Sequence, residues 1–445
     1  MFSNSALLGS SAVRRDALDI LGAGVTSVLI EPAMRSLLSL DGDSLIVAGH
    51  GRVPLPPRCG PGRLFVVAVG KAAAAMAKSF ERVVERRVHD GFAIGTDAVE
   101  SAADLVAIRY VRGSHPLPCA ATLSNTDALL DMLRTAELTA LDLVVHLVSG
   151  GASALLESPR CSLEQLTAIN KALLRCGTDI HETNTVRKHL SLVKGGQLAL
   201  RALPARQLSL IVSDVIASDV SVIGSGPTTL DRSTLADVRG VVERFQLHVA
   251  VPGQHASVDD FLRDFGFAET PKDAGAFDRV TNVVLISNAV AVDAMRARAQ
   301  ELGYAVEDRG VTLCGEARAV GRQFAELVRP GVAAIGAGET TVKVCARAGR
   351  GGRNQEFALG AVGHLAVPGV VCALGTDGND NGPVAGALVD HDTPAERAAD
   401  FLARNDSTTF FEQCGGALII NDGNGTGTNV ADIFLALGRK RDQAS

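Results

Sequence analysis

Four times along the chain a short apolar run ends in small residues and passes into a helical or loop pattern. These runs are LFVVAVG (Leu64 to Gly70), LDLVVHLVSGG (Leu141 to Gly151), LSLIVSDV (Leu208 to Val215) and VTNVVLISN (Val280 to Asn288). A run this short with no polar face reads as a strand buried on both sides, and a helix after it returns the chain to start a parallel neighbour. Such units predict an α/β fold with open, largely parallel sheets covered by helices on both faces. The loop after Val215 is longer than the others. At 445 residues the chain exceeds the roughly 250–300 at which one core stops growing, so two domains are expected. The polar stretch from Arg232 to Asp278, broken at Pro252, Gly253 and Pro271, places their boundary near residue 240. Ahead of the first strand, Arg14 to Leu38 has helical periodicity with Pro32 near a break, and Asp41 to Gly62, rich in Gly and Pro, reads as a loop.

Charge narrows the function. The formal net charge is −6, with no Trp and two Tyr, so neither a cationic field nor a stacking platform for nucleic acid is present. The eight Cys form no CxxC pair, which points to a reducing compartment and a cytoplasmic protein. No apolar run approaches the ~18 residues of a membrane span, so no membrane partner is expected.

The chemistry gathers at the strand ends. Lys71 follows the Gly70 turn and opens a helix, where it can reach an anion that the helix N-terminus also favours; the loop is not a Walker A motif, since Ala72 follows. Ser149, Gly150 and Gly151, with Ser153 beside them, form a small-residue turn able to offer backbone N–H groups to an anion. In ETNTVRKHLSLVKGG, Asn184 shares a helix face with Arg187 or Lys188, and an Arg there suits bidentate capture of a carboxylate or phosphate. Asp214, Asp377 and Asp380 lie just past apolar runs, where carboxylates hold Mg²⁺ or accept the proton of an attacking hydroxyl; the same Asp-Gly sequences also make ordinary turns. Asn288 opens the helix after its strand. In GAGETTVKV and GRGGRNQEFALG, Arg353 can neutralise charge on a transferred phosphoryl group, and Thr340 and Asn354 are candidate ligand contacts. Glu339 and Glu356 either position a ligand hydroxyl or cap an element. GNGTGTNVADI (Gly423 to Ile433) reads as a further turn before a helix. No strict GxGxxG occurs, and neither Ser149 nor Ser153 sits in a Gly-x-Ser-x-Gly elbow.

In order, VGKAA, SGGASAL, NTVRKHLSLVKGGQLA, SDV with GSGPT, GGRNQE, GTDG and GTGTNV resemble the glycerate 2-kinase family over nearly the whole chain. The resemblance implies two unlike three-layer α/β/α domains with an interdomain cleft, a Rossmann-like one over residues 1–240 and a MOFRL-type one over 241–445. It implies ATP-dependent phosphorylation of D-glycerate at its 2-hydroxyl with Mg²⁺, by a monomer or homodimer. Lys71 and Arg353 match the family's catalytic lysine and arginine, and Asp377 joins them as a catalytic or metal-holding group. The sequence departs from the family pattern at Ala152, at Ile216 to Asp219, at Asn381 to Val384 and at Asp422 to Asn424. A hydroxypyruvate reductase and a catalytically impaired ligand-binding homologue are the alternatives.

Overall fold

A computed structural model describes residues 3–215, 218–251, 253, 255–414, 417–420 and 426–441. Pro252, Ile216, Ala217 and Asp422 to Asn424, singled out above, lie outside the described residues. The chain forms two compact units. One is built from Met34–Ser213 and Ser218–Leu285; the other takes the residues up to Ala33, those from Ile286 onward, and Asp214 with Val215. The boundary expected near residue 240 therefore shifts. The helices Leu235–Arg244 and Val258–Asp264 bury Val238, Val242, Phe261 and Phe265 against Ile169, Leu173, Val186 and Leu190, which ties them to the first unit. The N-terminal helix Ala12–Val28 instead belongs with the helix Asn288–Glu301. Gly24 permits that packing: a Cβ there would lie 2.7 Å from Met295 Cγ.

In the first unit the segment read as a loop after Asp41 folds into a small antiparallel sheet of β1 (Leu38–Asp41), β2 (Ser44–Val47) and β3 (Gly51–Pro54). Its glycines mark the turns between very short strands, with Gly42 at φ +58°. The main sheet holds β4 (Leu64–Val69), β5 (Asp90–Gly95), β6 (Ile108–Arg112), β7 (Leu143–Val148), β8 (Arg206–Val212) and β9 (Val280–Ile286) in the order β6-β5-β4-β7-β8-β9. The pairs from β6 through β8 are parallel, and every residue of β4 and β7 is buried, as their apolar runs require. After β4 the chain adds strands on one side, and from β7 on the other. Ligand crevices of open α/β sheets form at the carboxyl ends of such a reversal.

The second unit departs from the expected parallel sheet. Its strands β10 (Ala305–Asp308), β11 (Val332–Gly338), β12 (Gly369–Gly375), β13 (Val384–Asp390), β14 (Leu418–Ile420) and β15 (Asp432–Gly438) run in the order β10-β11-β15-β12-β13-β14. Only β10 and β11 pair in parallel; the other pairs are antiparallel. The turn 376–383 is too short for a crossover, so β13 must return antiparallel. The stretch ending at Ile433 opens a strand and not a helix, and β15 threads between β11 and β12. Asp432 thereby sits opposite both Gly338 and Gly375, at the carboxyl ends of two central strands. Below it, Phe324, Phe357 and Phe434 pack ring against ring. Among the described residues no single helix is long and apolar enough to cross a membrane.

Candidate active site

The turns after β4 and β7 abut because their strands are neighbours, Val69 opposite Val148. Lys71 N donates to Gly150 O at 2.8 Å, Ser149 N to Val69 O at 3.0 Å, and Ala72 N to Ser149 Oγ at 3.1 Å. Gly70, at φ +130°, is required: a Cβ there would lie 2.2 Å from Ser149 Oγ. The N–H groups of Gly150 and Gly151 have no protein acceptor among the described residues, which leaves a small anion nest. Lys71 is exposed and forms no ion pair among the described residues. Ala152, where the family pattern has Gly, starts the helix Ala152–Leu155 with its methyl buried toward Gly224, so it does not cover the turn.

A pocket of about 200 Å³ opens beside this turn, lined by His115, Gly151, Ser153, Asn170 and Arg187 among others. Arg187 Nε donates to Asn170 Oδ1 at 2.8 Å, and its guanidinium has no ion pair among the described residues. Burial lowers its pKa, an effect that Glu157 opposes. Its neighbour Lys188 turns the other way, into a buried pair with Asp231 at 3.2 Å, as successive helix positions must. Asn184 is a brace: it accepts from Ser225 Oγ at 2.8 Å, and Ser225 Oγ lies 2.8 Å from Ser153 Oγ.

In the second unit Arg353 opens the helix Arg353–Ala361 and is held by two carboxylates. Its Nη2 donates to Asp432 Oδ1 at 3.0 Å, its Nε to Asp432 Oδ2 at 2.5 Å, and its Nη1 lies 2.7 Å from Glu339 Oε1. Asp432 is 1% exposed, and burial pushes its pKa up to about 6 against the pull of Arg353. Burial disfavours the charge on Arg353, but the Asp432 hydrogen bond together with the charges of Asp432, Glu339 and Asp380 outweighs that, and the guanidinium is held protonated. Arg353 and Glu339 border a pocket of about 610 Å³ also lined by Thr340, Gly351, Asp377 and Asn381. Thr340 Oγ1, on a residue of that lining, and Asn354 Oδ1, next to Arg353 on its helix, are buried with no partner among the described residues; Asn354 Nδ2 already donates to Asp380 and Asp432. Buried polar atoms are rarely left so, which marks the region for a ligand.

Several expected site residues serve the scaffold. Asp380, at the edge of the larger pocket, accepts from the backbone N–H of Asn354 at 3.0 Å and of Gln355 at 2.8 Å, one to each oxygen, so it caps the helix bearing Arg353. Glu356 lines the larger pocket, with its carboxylate accepting from Arg318 and from Asn405 Nδ2. Asn288 Nδ2 donates to Val311 O and does not line the pocket. Asp214, half-buried past β8, lines neither pocket. Among the described residues no group of three or more His, Cys, Asp or Glu is arranged to hold a metal. Asp377 keeps an oxygen open: its Oδ1 accepts from Asn379 N at 2.9 Å while Oδ2 has no partner among the described residues, and Mg²⁺ in phosphate sites needs only one or two carboxylates. Two residues escaped sequence reading, His115 and Asp432. The signals were a histidine between a glycine turn and two prolines in GSHPLP, and an acid closing GTGTNVAD.

The chain is similar to known proteins along nearly its whole length. Residues 16–260 match a family described as a domain of unknown function, DUF4147, and residues 332–432 match the MOFRL family. A glycerate 2-kinase of Pyrococcus horikoshii is 32% identical, covering 96% of this chain and 97% of that protein. A D-glycerate 2-kinase of Thermotoga maritima is 36% identical over 86% of this chain and 92% of its own. The crystal structure of a glycerate kinase from Thermotoga maritima superposes with a TM-score of 0.80 at 32% identity, over 95% of this chain and 98% of that one. With this identity, coverage and paired α/β architecture, the chain belongs to the glycerate 2-kinase family.

Proposed function

We propose that the protein transfers the γ-phosphoryl group of ATP to the 2-hydroxyl of D-glycerate, giving 2-phosphoglycerate. The carrying observation is Arg187, a half-buried guanidinium with no ion pair among the described residues, in a pocket of about 200 Å³ beside the Lys71 turn. That volume lies below the roughly 300–1,000 Å³ of sites that take drug-sized ligands, so it suits a three-carbon acid better than a nucleotide. Arg187 grips the carboxylate through its two free Nη groups, a task for which its planar fork is shaped. The larger pocket beside Arg353, about 610 Å³, suits the nucleotide. Lys71 supplies positive charge beside the acid's pocket and Arg353 beside the nucleotide's, and in phosphoryl transfer fixed charges contribute most of the catalysis. Asp377 would hold Mg²⁺, which neutralises phosphate oxygens when bound.

The test is a product assay with ATP, Mg²⁺ and D-glycerate that separates 2-phosphoglycerate from 3-phosphoglycerate. The 2-isomer alone is expected; the 3-isomer alone would overturn the regiochemistry. Turnover of Lys71→Ala equal to the wild type would remove Lys71 from the machinery.

A further inference from the structure

We infer that His115 is a catalytic residue of this reaction, taking the proton of the substrate's 2-hydroxyl as that oxygen attacks the γ-phosphorus. The inference rests on D-glycerate as the acceptor. It begins with the His115 ring, which lies against the turn after β7: a Cβ built on Gly151 would be 3.1 Å from His115 Cδ2, 3.4 Å from its Nε2 and 3.1 Å from Lys71 Cγ. The imidazole and the lysine stem thus flank one glycine. The same ring lines the small pocket that contains Arg187. A 2-hydroxyl is one carbon removed from the carboxylate, so an acid held by Arg187 in so small a space keeps that hydroxyl within the chamber His115 borders.

The other lining groups are committed. Glu157 accepts from Lys194 and from Ser191 Oγ at 2.7 Å. Ser153 is engaged with Ser225, and Asn170 accepts from Arg187. His115 has no hydrogen-bond partner among the described residues and is exposed to solvent, so a ring nitrogen is available. Pro116 and Pro118 restrict the backbone on either side of Leu117 and, through Pro116, that of His115.

The surrounding charges favour a neutral ring. Lys71 faces it from the turn after β4, Arg187 from the helix Ile180–Leu190, Glu157 from the segment after Leu155, and Cys119 caps the next helix. Desolvation, and after it Lys71, lowers the His115 pKa below the ordinary histidine value. A neutral imidazole has the lone pair a general base needs. In the step, the substrate O–H bond breaks and its proton passes to His115. The O–P bond forms as the bond from γ-phosphorus to the β,γ-bridging oxygen breaks, and that electron pair leaves with ADP. The imidazolium then returns its proton to solvent.

His115→Gln keeps a polar side chain that cannot carry the proton. Its kcat should fall about 100-fold, with KM for D-glycerate and ATP within about threefold of wild type. The acid limb of kcat, which needs both His115 and Asp432 unprotonated, should become shallower by one proton. A His115→Gln kcat within about threefold of wild type, or an acid limb of wild-type steepness, overturns the assignment of His115 alone. A wild-type enzyme that does not phosphorylate D-glycerate overturns the substrate reading and this proton path with it. A measurement independent of the variant's folding is diethyl pyrocarbonate labelling of the wild type, mapped by mass spectrometry. D-Glycerate should slow labelling at His115, and an unchanged rate refutes the contact.

Discussion

Replacing Arg187 with Met removes the guanidinium while keeping an unbranched stem of similar reach, and its cost follows from what Arg187 touches. Within the protein it makes one hydrogen bond, to Asn170, and no ion pair among the described residues. The fold should therefore lose only about 1 kcal/mol, or roughly 2–4 °C of melting temperature for a unit of this size. The substrate loses far more. Hydrogen bonds to a charged partner contribute about 1.5–3 kcal/mol, and two of them at the lower figure give about 3 kcal/mol, or roughly 100-fold in affinity at 1.4 kcal/mol per decade. Arg187→Lys keeps the charge without the fork and should fall between, near tenfold. Initial rates measured against D-glycerate and against ATP separate the effects. KM for D-glycerate should rise about 100-fold in Arg187→Met while KM for ATP stays within about threefold. A KM for D-glycerate near the wild-type value, or equal rises for both substrates, would refute the assignment of the small pocket to the acid.

Three further outcomes follow from the same contacts. Asp432→Asn removes the charge that orients Arg353 and should lower kcat about 100-fold, since small misplacements of a catalytic group cost that much; rates against pH should also show one proton fewer on the acid limb near pH 6, the value to which burial raises Asp432. Asp142 is fully buried, and although burial pushes its carboxyl up, hydrogen bonds from Arg63 and Thr139 outweigh this and bring it to about 2. Its folded pKa is depressed, so its contribution is complete above the unfolded value near 3.8 and is lost as pH falls toward 2. Urea unfolding of Asp142→Asn should show a loss of about 2 kcal/mol at neutral pH that shrinks toward zero in acid. Gly70→Ala forces a methyl to 2.2 Å from Ser149 Oγ at a positive φ. It should cost at least about 2 kcal/mol, read as a lower melting temperature together with reduced activity.

The sequence makes the first unit easier to read than the second for a physical reason. In β4 and β7 every residue is buried, so unbroken apolar runs announce them, and Lys71 is located by the glycine that must follow. The strands β1 to β3 are four residues each with alternating or exposed faces, too short for a periodicity to rise above the glycines and prolines around them. In the second unit the apolar runs were visible, but strand direction depends on pairing between distant segments. β15 takes its place between β11 and β12 from the far end of the chain, and no local pattern encodes that insertion.

The same distinction governs the site. Arg187 and Lys188 are adjacent, and helix geometry alone sends them apart, yet which one meets an acid and which a pocket depends on Asp231 and Asn170, each contributed by another segment. Asp380 looked like a metal ligand because it follows an apolar run and a glycine. Its oxygens meet N–H groups 25 and 26 residues earlier in the chain, at the start of the Arg353 helix. The orienting acid, Asp432, lies 79 residues from Arg353. Sequence position marks where a charged side chain can leave the sheet. Whether that charge is neutralised depends on contacts made by other segments, and the two cations differ in this respect: Arg353 is paired twice, while Lys71 has no ion pair among the described residues. An anion therefore meets uncompensated charge at Lys71 and must compete with Glu339 and Asp432 at Arg353. Asp432 is almost fully buried and Glu339 is 45% exposed, so Glu339 is the partner that a phosphate displaces at least cost in desolvation.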